Sequence, residues 1–192
     1  MNISNHIEKY FGKISRGWHF TDEENSPYQI VECRNGLIPD VVSFCTLGLC
    51  KFDFISRKSN KKIKHEIILS FDKDHIPKNA VAIVKQMAEE AVCSKNAYME
   101  NQIVKRPGFL FEETFFSGLI IKPPVFFGEG SFVYKGEDTG NVSCIFAWLI
   151  PLFESEIEFI KLHGVDEFEN ILEESKIDLF LTTRKSVVPY IK

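Results

Sequence analysis

The sequence predicts an α+β fold: a mixed, largely antiparallel sheet packed by helices at about 2–11, 79–95, 153–163 and 166–175. Three observations predict it. Strand-like and helix-like segments are mixed along the chain without regular βαβ alternation, which argues against a doubly wound parallel sheet. Cys144-Ile145-Phe146-Ala147-Trp148-Leu149-Ile150 is a continuous apolar run, too short for a bilayer and too apolar for an exposed edge. Such a run suits a strand covered on both faces. Behind it, Phe153, Ile157 and Ile160 recur at i, i+4 and i+7 and make one apolar helical stripe.

Taken in order, the first element is a helix over 2–11, with Ile3, Ile7, Tyr10 and Phe11 on one face, Asn2 or Ser4 as its cap, and Gly12 at its end. A short strand is expected at Gly17–Phe20, a polar turn from Thr21 to Pro27, and a second strand from Tyr28 to Cys33. Arg34-Asn35-Gly36 signals a turn, and Pro39-Asp40 opens a third run, Val41 to Leu49. Two strands near 52–56 and 64–71 are expected to flank an exposed basic tip at Lys58-Ser59-Asn60-Lys61. In the second of them, Ile63, His65, Ile67, Leu69 and Phe71 alternate onto one side. Pro77 suits a first helical turn, and the longest helix follows over 79–95 on an apolar face from Val81 to Val92. From Arg106 to Gly140 the chain is rich in Phe, Gly and Pro and reads as short strands and irregular loops. Pro151, lacking an N–H, is expected to end the organising strand. Gly164 then stops the first of the last two helices where a left-handed residue is needed. Ile177–Leu181 reads as a short extended segment before a tail ending at Pro189.

At 192 residues, 44% hydrophobic and with 18 Phe, the chain fits one domain over 1–192 and has material for a sizeable core without disulfide or metal staples. The five Cys are odd in number and mostly sit within apolar runs, as buried free thiols of a reducing compartment do. The N-terminus lacks the basic start and apolar stretch of a signal peptide. A cytoplasmic location and no contact with membranes are the expectations. Net charge is −4, which argues against non-specific nucleic-acid binding.

No reaction centre is spelled out. The five His are scattered, and no two lie at i, i+4 on a helix. His65-Glu66 begins like a zincin motif, but position 69 is Leu. Ser43 and Cys45 lie in an apolar run without a local base, and Gly128-Glu129-Gly130-Ser131 lacks the Lys and the following helix of a phosphate loop. The expectation is therefore no catalytic residue, no metal and no cofactor. Two charge features remain. The basic loop 57–64 suits a solvated hairpin tip that discourages edge pairing. Alternatively it serves a nucleic-acid-binding regulator. The acidic set is denser: between 154 and 178, nine Asp and Glu face two Lys. That is the wet side of two amphipathic helices, or a surface that attracts a basic protein. Glu154, Glu156, Glu158, Asp166, Glu169 and Glu173 are the candidate partner-binding residues. An enzyme with a pocket in the Phe-rich region 109–134 is a further alternative.

Several segments together resemble the suppressor of fused family, particularly its compact bacterial members. Val42-Ser43-Phe44-Cys45-Thr46-Leu47-Gly48-Leu49 is similar to the family's threonine–small–glycine strand, and His65-Glu66-Ile67-Ile68-Leu69-Ser70-Phe71 to its Glu-containing apolar strand. Trp148–Phe153, with Glu154, Glu156 and Glu158 and then Phe159 to Gly164, resembles its strand-to-helix passage; Asp178–Val187, with Arg184 and Ser186, resembles its closing segment. The likeness runs from about residue 5 to 188. It leaves no room for the second domain of animal members. What it implies is a protein-binding module rather than an enzyme: animal members sequester a transcription factor, and bacterial members look like immunity proteins that hold a cognate, often basic, toxin inactive.

Overall fold

The structure, a computed structural model, describes residues 2–20, 27–136 and 142–188. Helix α1 (Ile3–Phe11) leads into strands β1 (Lys13–Trp18), β2 (Gln29–Arg34) and β3 (Val41–Leu47). A small hairpin, β4 (Phe54–Ile55) with β5 (Lys62–Ile63), precedes β6 (His65–Asp72) and helix α2 (Ala80–Ser94). Then come β7 (Ile103–Lys105), β8 (Phe116–Lys122), β9 (Val133–Lys135) and the long β10 (Val142–Phe153). Helices α3 (Glu154–His163) and α4 (Val165–Ser175) follow. The main sheet has the order β1-β2-β3-β6-β10-β8-β7, with β9 beside the first part of β10. Its pairs are antiparallel except β6 with β10. This is the α+β, largely antiparallel architecture that the pattern predicts.

β10 sits centrally because its two sets of alternating side chains enter two different cores. Phe146, Trp148, Ile150 and Leu152 pack with Ile7 and Phe11 of α1, Ile157 and Ile160 of α3 and Phe168 of α4. Ala147 and Leu149 point into the opposite core, with Val84, Met87, Ala88 and Ala91 of α2. Gly118 lets α3 lie close on β8: a Cβ there would stand 2.9 Å from Ile157 Cδ1 and 3.0 Å from the Val104 carbonyl oxygen.

Pro151 does not end the strand. The parallel ladder with β6 stops at Leu149, but β10 runs on to Phe153 against β8, with Pro151 opposite Leu119. The Pro151 carbonyl accepts a bond from Arg184 Nη2 at 2.8 Å. In a strand the N and O of one residue face the same flank, so the missing N–H falls where β6 has already departed and no ladder bond is lost. Other expectations shift too. β1 begins at Lys13 rather than Gly17; it is a mostly exposed edge with a bulge between Ile14 and Arg16, and leaves little apolar alternation to read. The basic tip is closed by β4 and β5, while the strand expected at 64–71 belongs to the main sheet as β6. Within the region read as short strands and irregular loops, Val125–Phe127 is a 3-10 turn after Pro123-Pro124. Ile177–Leu181 forms a turn in which Asp178 Oδ1 accepts the Phe180 N–H at 2.8 Å. The polar turn over 21–26, the Gly140 end of the Phe-rich region and Pro189 lie outside the described residues.

Thr46, Gly48 and Glu66, which lie in two separate stretches of the family resemblance, form one hydrogen-bonded unit. Glu66 is fully buried on β6. Its carboxylate accepts from Thr46 Oγ1 at 2.5 Å and from the backbone N–H groups of Gly48 (2.9 Å), Leu49 (3.2 Å) and Cys50 (3.1 Å). Burial pushes this carboxyl well up from the usual range, and the Thr46 and Cys50 donors oppose that by favouring the charged form. Gly48 has φ +101, and a Cβ there would meet the Pro27 carbonyl oxygen at 2.6 Å.

Candidate functional site

The last two helices begin at a buried ion pair. Glu156, at the third position of α3, reaches back to the Phe153 N–H at 3.0 Å and caps the helix start. The same carboxylate takes a two-pronged contact from Arg184, Nη1 to Oε1 at 2.6 Å and Nη2 to Oε2 at 2.8 Å, and the Val187 N–H at 3.2 Å. The guanidinium also stacks over the Phe116 and Phe153 rings, 5.0 and 4.8 Å from their centroids. Both charged side chains are essentially without solvent exposure. Glu156 therefore lies outside any surface, a correction to its place among the candidate residues: the capping geometry turns it inward.

The five other candidates divide by what already holds them. Glu154 is partly covered and pairs with Lys105 at 2.5 Å and with Ser117 Oγ at 3.1 Å. The Lys105 contact holds its carboxyl below the usual range. Glu169 is partly covered and pairs with Lys122. Glu158 is half-exposed and meets Lys161 at 2.7 Å. Asp166, in the first turn of α4, and Glu173, near its end, are also exposed. An Asp there also suits the positive end of the helix dipole.

Beside Glu173 lies a groove of about 510 Å³. Its floor is the sheet face carrying Ile120, Trp148, Ile150 and Leu152. One wall is Val165, Phe168 and Leu172 of α4, and the other is Pro123, Val125 and Phe126 of the 3-10 turn. Val125 and Phe126 are 63% and 62% exposed, an unusual degree for such residues, and Phe126 meets Trp148 edge-on at 5.7 Å. Glu100, Lys122, Glu169, Glu173 and Lys176 ring the opening. No His or Cys lines it. The alternative reading is an enzyme with a pocket in the region 109–134; the groove takes Ile120 and Lys122 of β8 and the 3-10 turn wall from that region, and most of the rest from β10 and α4. Pro123-Pro124 ahead of Val125 was the available signal for that turn, since consecutive prolines punctuate a strand.

The basic tip is solvated along Arg57–Lys61, while Lys62 pairs with Asp53 at 2.9 Å. Elsewhere, Cys50 and Cys144 lie beside Glu66 with their donor atoms within 4.8 Å of one another. Each Glu66 oxygen already accepts two hydrogen bonds, so the carboxylate has no free lone pair for a metal ion. Among the described residues no helix is long and apolar enough to cross a membrane.

Residues 24–185 match the family model described as Suppressor of fused protein (SUFU). Among characterised proteins, the chain is similar to the immunity protein YqcF of Bacillus subtilis (strain 168), with 24% identity over 184 residues, spanning 92% of this chain and 88% of that one. Among solved structures, it is similar to a SUFU homolog from Neisseria gonorrhoeae FA 1090, with TM-score 0.70 and 19% identity over 96% of this chain and 93% of that one. The fold also matches a chain of the Sufu–Fu complex, with TM-score 0.66 and 10% identity over 96% and 90% of the two chains. Against Drosophila Suppressor of Fused the TM-score is 0.56 at 11% identity; the match spans 83% of this chain and 42% of that larger one.

Proposed function

Because this chain belongs to the suppressor of fused family, we propose that it is a non-enzymatic protein-binding module of the cytoplasm, an immunity protein that holds a cognate toxin of a polymorphic toxin system inactive. The observation that carries this reading is the similarity to a protein named as an immunity protein across nearly the full length of both chains. The docking face we assign is the outer side of α3 and α4, with half-exposed Glu158 and exposed Asp166 and Glu173, together with the apolar groove beside Glu173. Its occupant is a basic toxin domain that seats an apolar side chain against Phe126 and Leu172. In this arrangement the acids speed encounter and the buried apolar anchor supplies most of the affinity. Inhibition then follows from covering the toxin's active site, with no bond made or broken by this chain.

The test reverses the three acids that have no buried partner, Glu158→Lys, Asp166→Lys and Glu173→Lys together. Association with the cognate toxin domain is expected to slow about tenfold at low salt and to lose most of its salt dependence. An unchanged rate and an unchanged salt slope would remove this face as the docking surface.

A further inference from the structure

The Cys50–Cys144 pair stands apart from the docking face and is not used by the reading above. Its sulfurs are within 4.8 Å of each other and of a Glu66 oxygen. Cys50 is half-buried in the 3-10 turn Leu49–Lys51, outside any strand ladder, and Cys144 lies behind it on β10, 1% exposed. The other thiols lack this combination. Cys33 and Cys45 are fully buried, and Cys93 is exposed on α2.

We propose that Cys50 and Cys144 form an oxidation site: Cys50 reacts with hydrogen peroxide and Cys144 resolves the product into an internal disulfide. The order of events follows from access and acidity. Hydrogen bonding to the neighbouring Cys144 thiol, then to the Glu66 carboxyl, with help from the Lys64 charge, outweighs burial and pulls the Cys50 thiol down to about 6, so a half-buried thiolate is present at neutral pH. Burial pushes Cys144 well up, which keeps it a thiol until it is called on. The Cys50 thiolate attacks one peroxide oxygen and the O–O bond breaks. Cys50 becomes a sulfenic acid, and the departing hydroxide takes the proton that Cys50 released. The Cys144 sulfur then attacks the Cys50 sulfur and expels hydroxide, which leaves as water with the Cys144 proton. Two thiols lose two electrons, and one peroxide becomes two waters. Glu66 stays with its four hydrogen-bond donors and holds the turn in place. With the backbone of the turn held, rotation of the Cys50 and Cys144 side chains closes the remaining distance to the roughly 2 Å of an S–S bond.

The experiment exposes the purified full chain to a small excess of hydrogen peroxide, blocks free thiols in denaturant and maps the peptides. The expected result is a fall from five free thiols to three. It includes one peptide pair joining Cys50 to Cys144, restored to free thiols by dithiothreitol. In Cys144→Ser, Cys50 is expected to be trapped by dimedone as a sulfenic acid, with no internal cross-link. In Cys50→Ser, Cys144 is expected to stay reduced. The wild-type map decides the matter even if a variant fails to fold. Oxidation confined to Cys93, a Cys93-linked dimer with Cys50 and Cys144 both free, or a Cys50 disulfide to any other residue would overturn the proposal.

Discussion

His65 is the residue whose chemistry the fold alters in the most measurable way. It is wholly buried at the start of β6, stacked on Phe54 at 4.4 Å and 10°, and its Nε2 accepts the Tyr98 N–H at 3.3 Å. Desolvation pushes its pKa down to about 4 from the ordinary 6.5. Between those values the unfolded chain binds a proton that the folded chain refuses, so stability is complete above pH 6.5 and falls as pH drops toward 4. The difference of about 2.5 units corresponds to about 3 kcal/mol. Urea unfolding at pH 7 and pH 4 should show wild type losing about 3 kcal/mol more than His65→Gln, which can keep the acceptor toward Tyr98. Equal losses in the two proteins would contradict this account of His65. In the sequence, His65-Glu66 resembles the start of a metal motif, but both side chains have structural work: His65 stacks in one core, and Glu66 gathers the turn after β3. Alternation placed His65 on the correct face. The burial that makes it neutral depends on Phe54 and Tyr98, which are distant in the chain and carry no local signal.

Between elements, the decisive contact is Arg184 with Glu156, which fastens the closing segment onto the junction of β10 and α3. Arg184 satisfies the carboxylate and the Pro151 carbonyl together, so its removal leaves a buried charge and a buried acceptor without partners. Arg184→Met should lower unfolding stability by about 3–5 kcal/mol in urea titrations at neutral pH; a loss under about 1 kcal/mol would show that the pair contributes little. α1, α2, α3, α4 and the core of β10 were legible because long amphipathic or wholly apolar stretches carry their own periodicity. β4 falls within the strand expected near 52–56, but the start of β1, and β5 and β7, were not legible: they are short or edge strands whose existence depends on a neighbour's ladder rather than on their own side chains. Pro151 misled for a related reason, since whether a proline ends a strand depends on which flank its nitrogen faces.

At the scale of the molecule, one sheet carries two cores, and the side bearing α4 retains an open apolar groove next to an acidic face. The acidic excess over 154–178 was plain in the sequence, but its division was not. Glu156 turns into the core, and Glu154 and Glu169 are engaged by Lys105 and Lys122 from other strands. Asp166 and Glu173 face solvent, and Glu158 does so in part beside Lys161. The groove is not legible in the sequence because its floor, walls and rim come from β8, β10, α4 and the 3-10 turn, which meet through topology alone. The central claim, that this protein acts by occupying a partner rather than by chemistry, is tested most directly by titrating the activity of the cognate toxin domain with the purified chain. The account predicts a linear loss of toxin activity that reaches its floor at one molar equivalent, and full recovery when the two chains are separated. Inactivation by a small fraction of an equivalent, or toxin that stays inactive after separation, would contradict it.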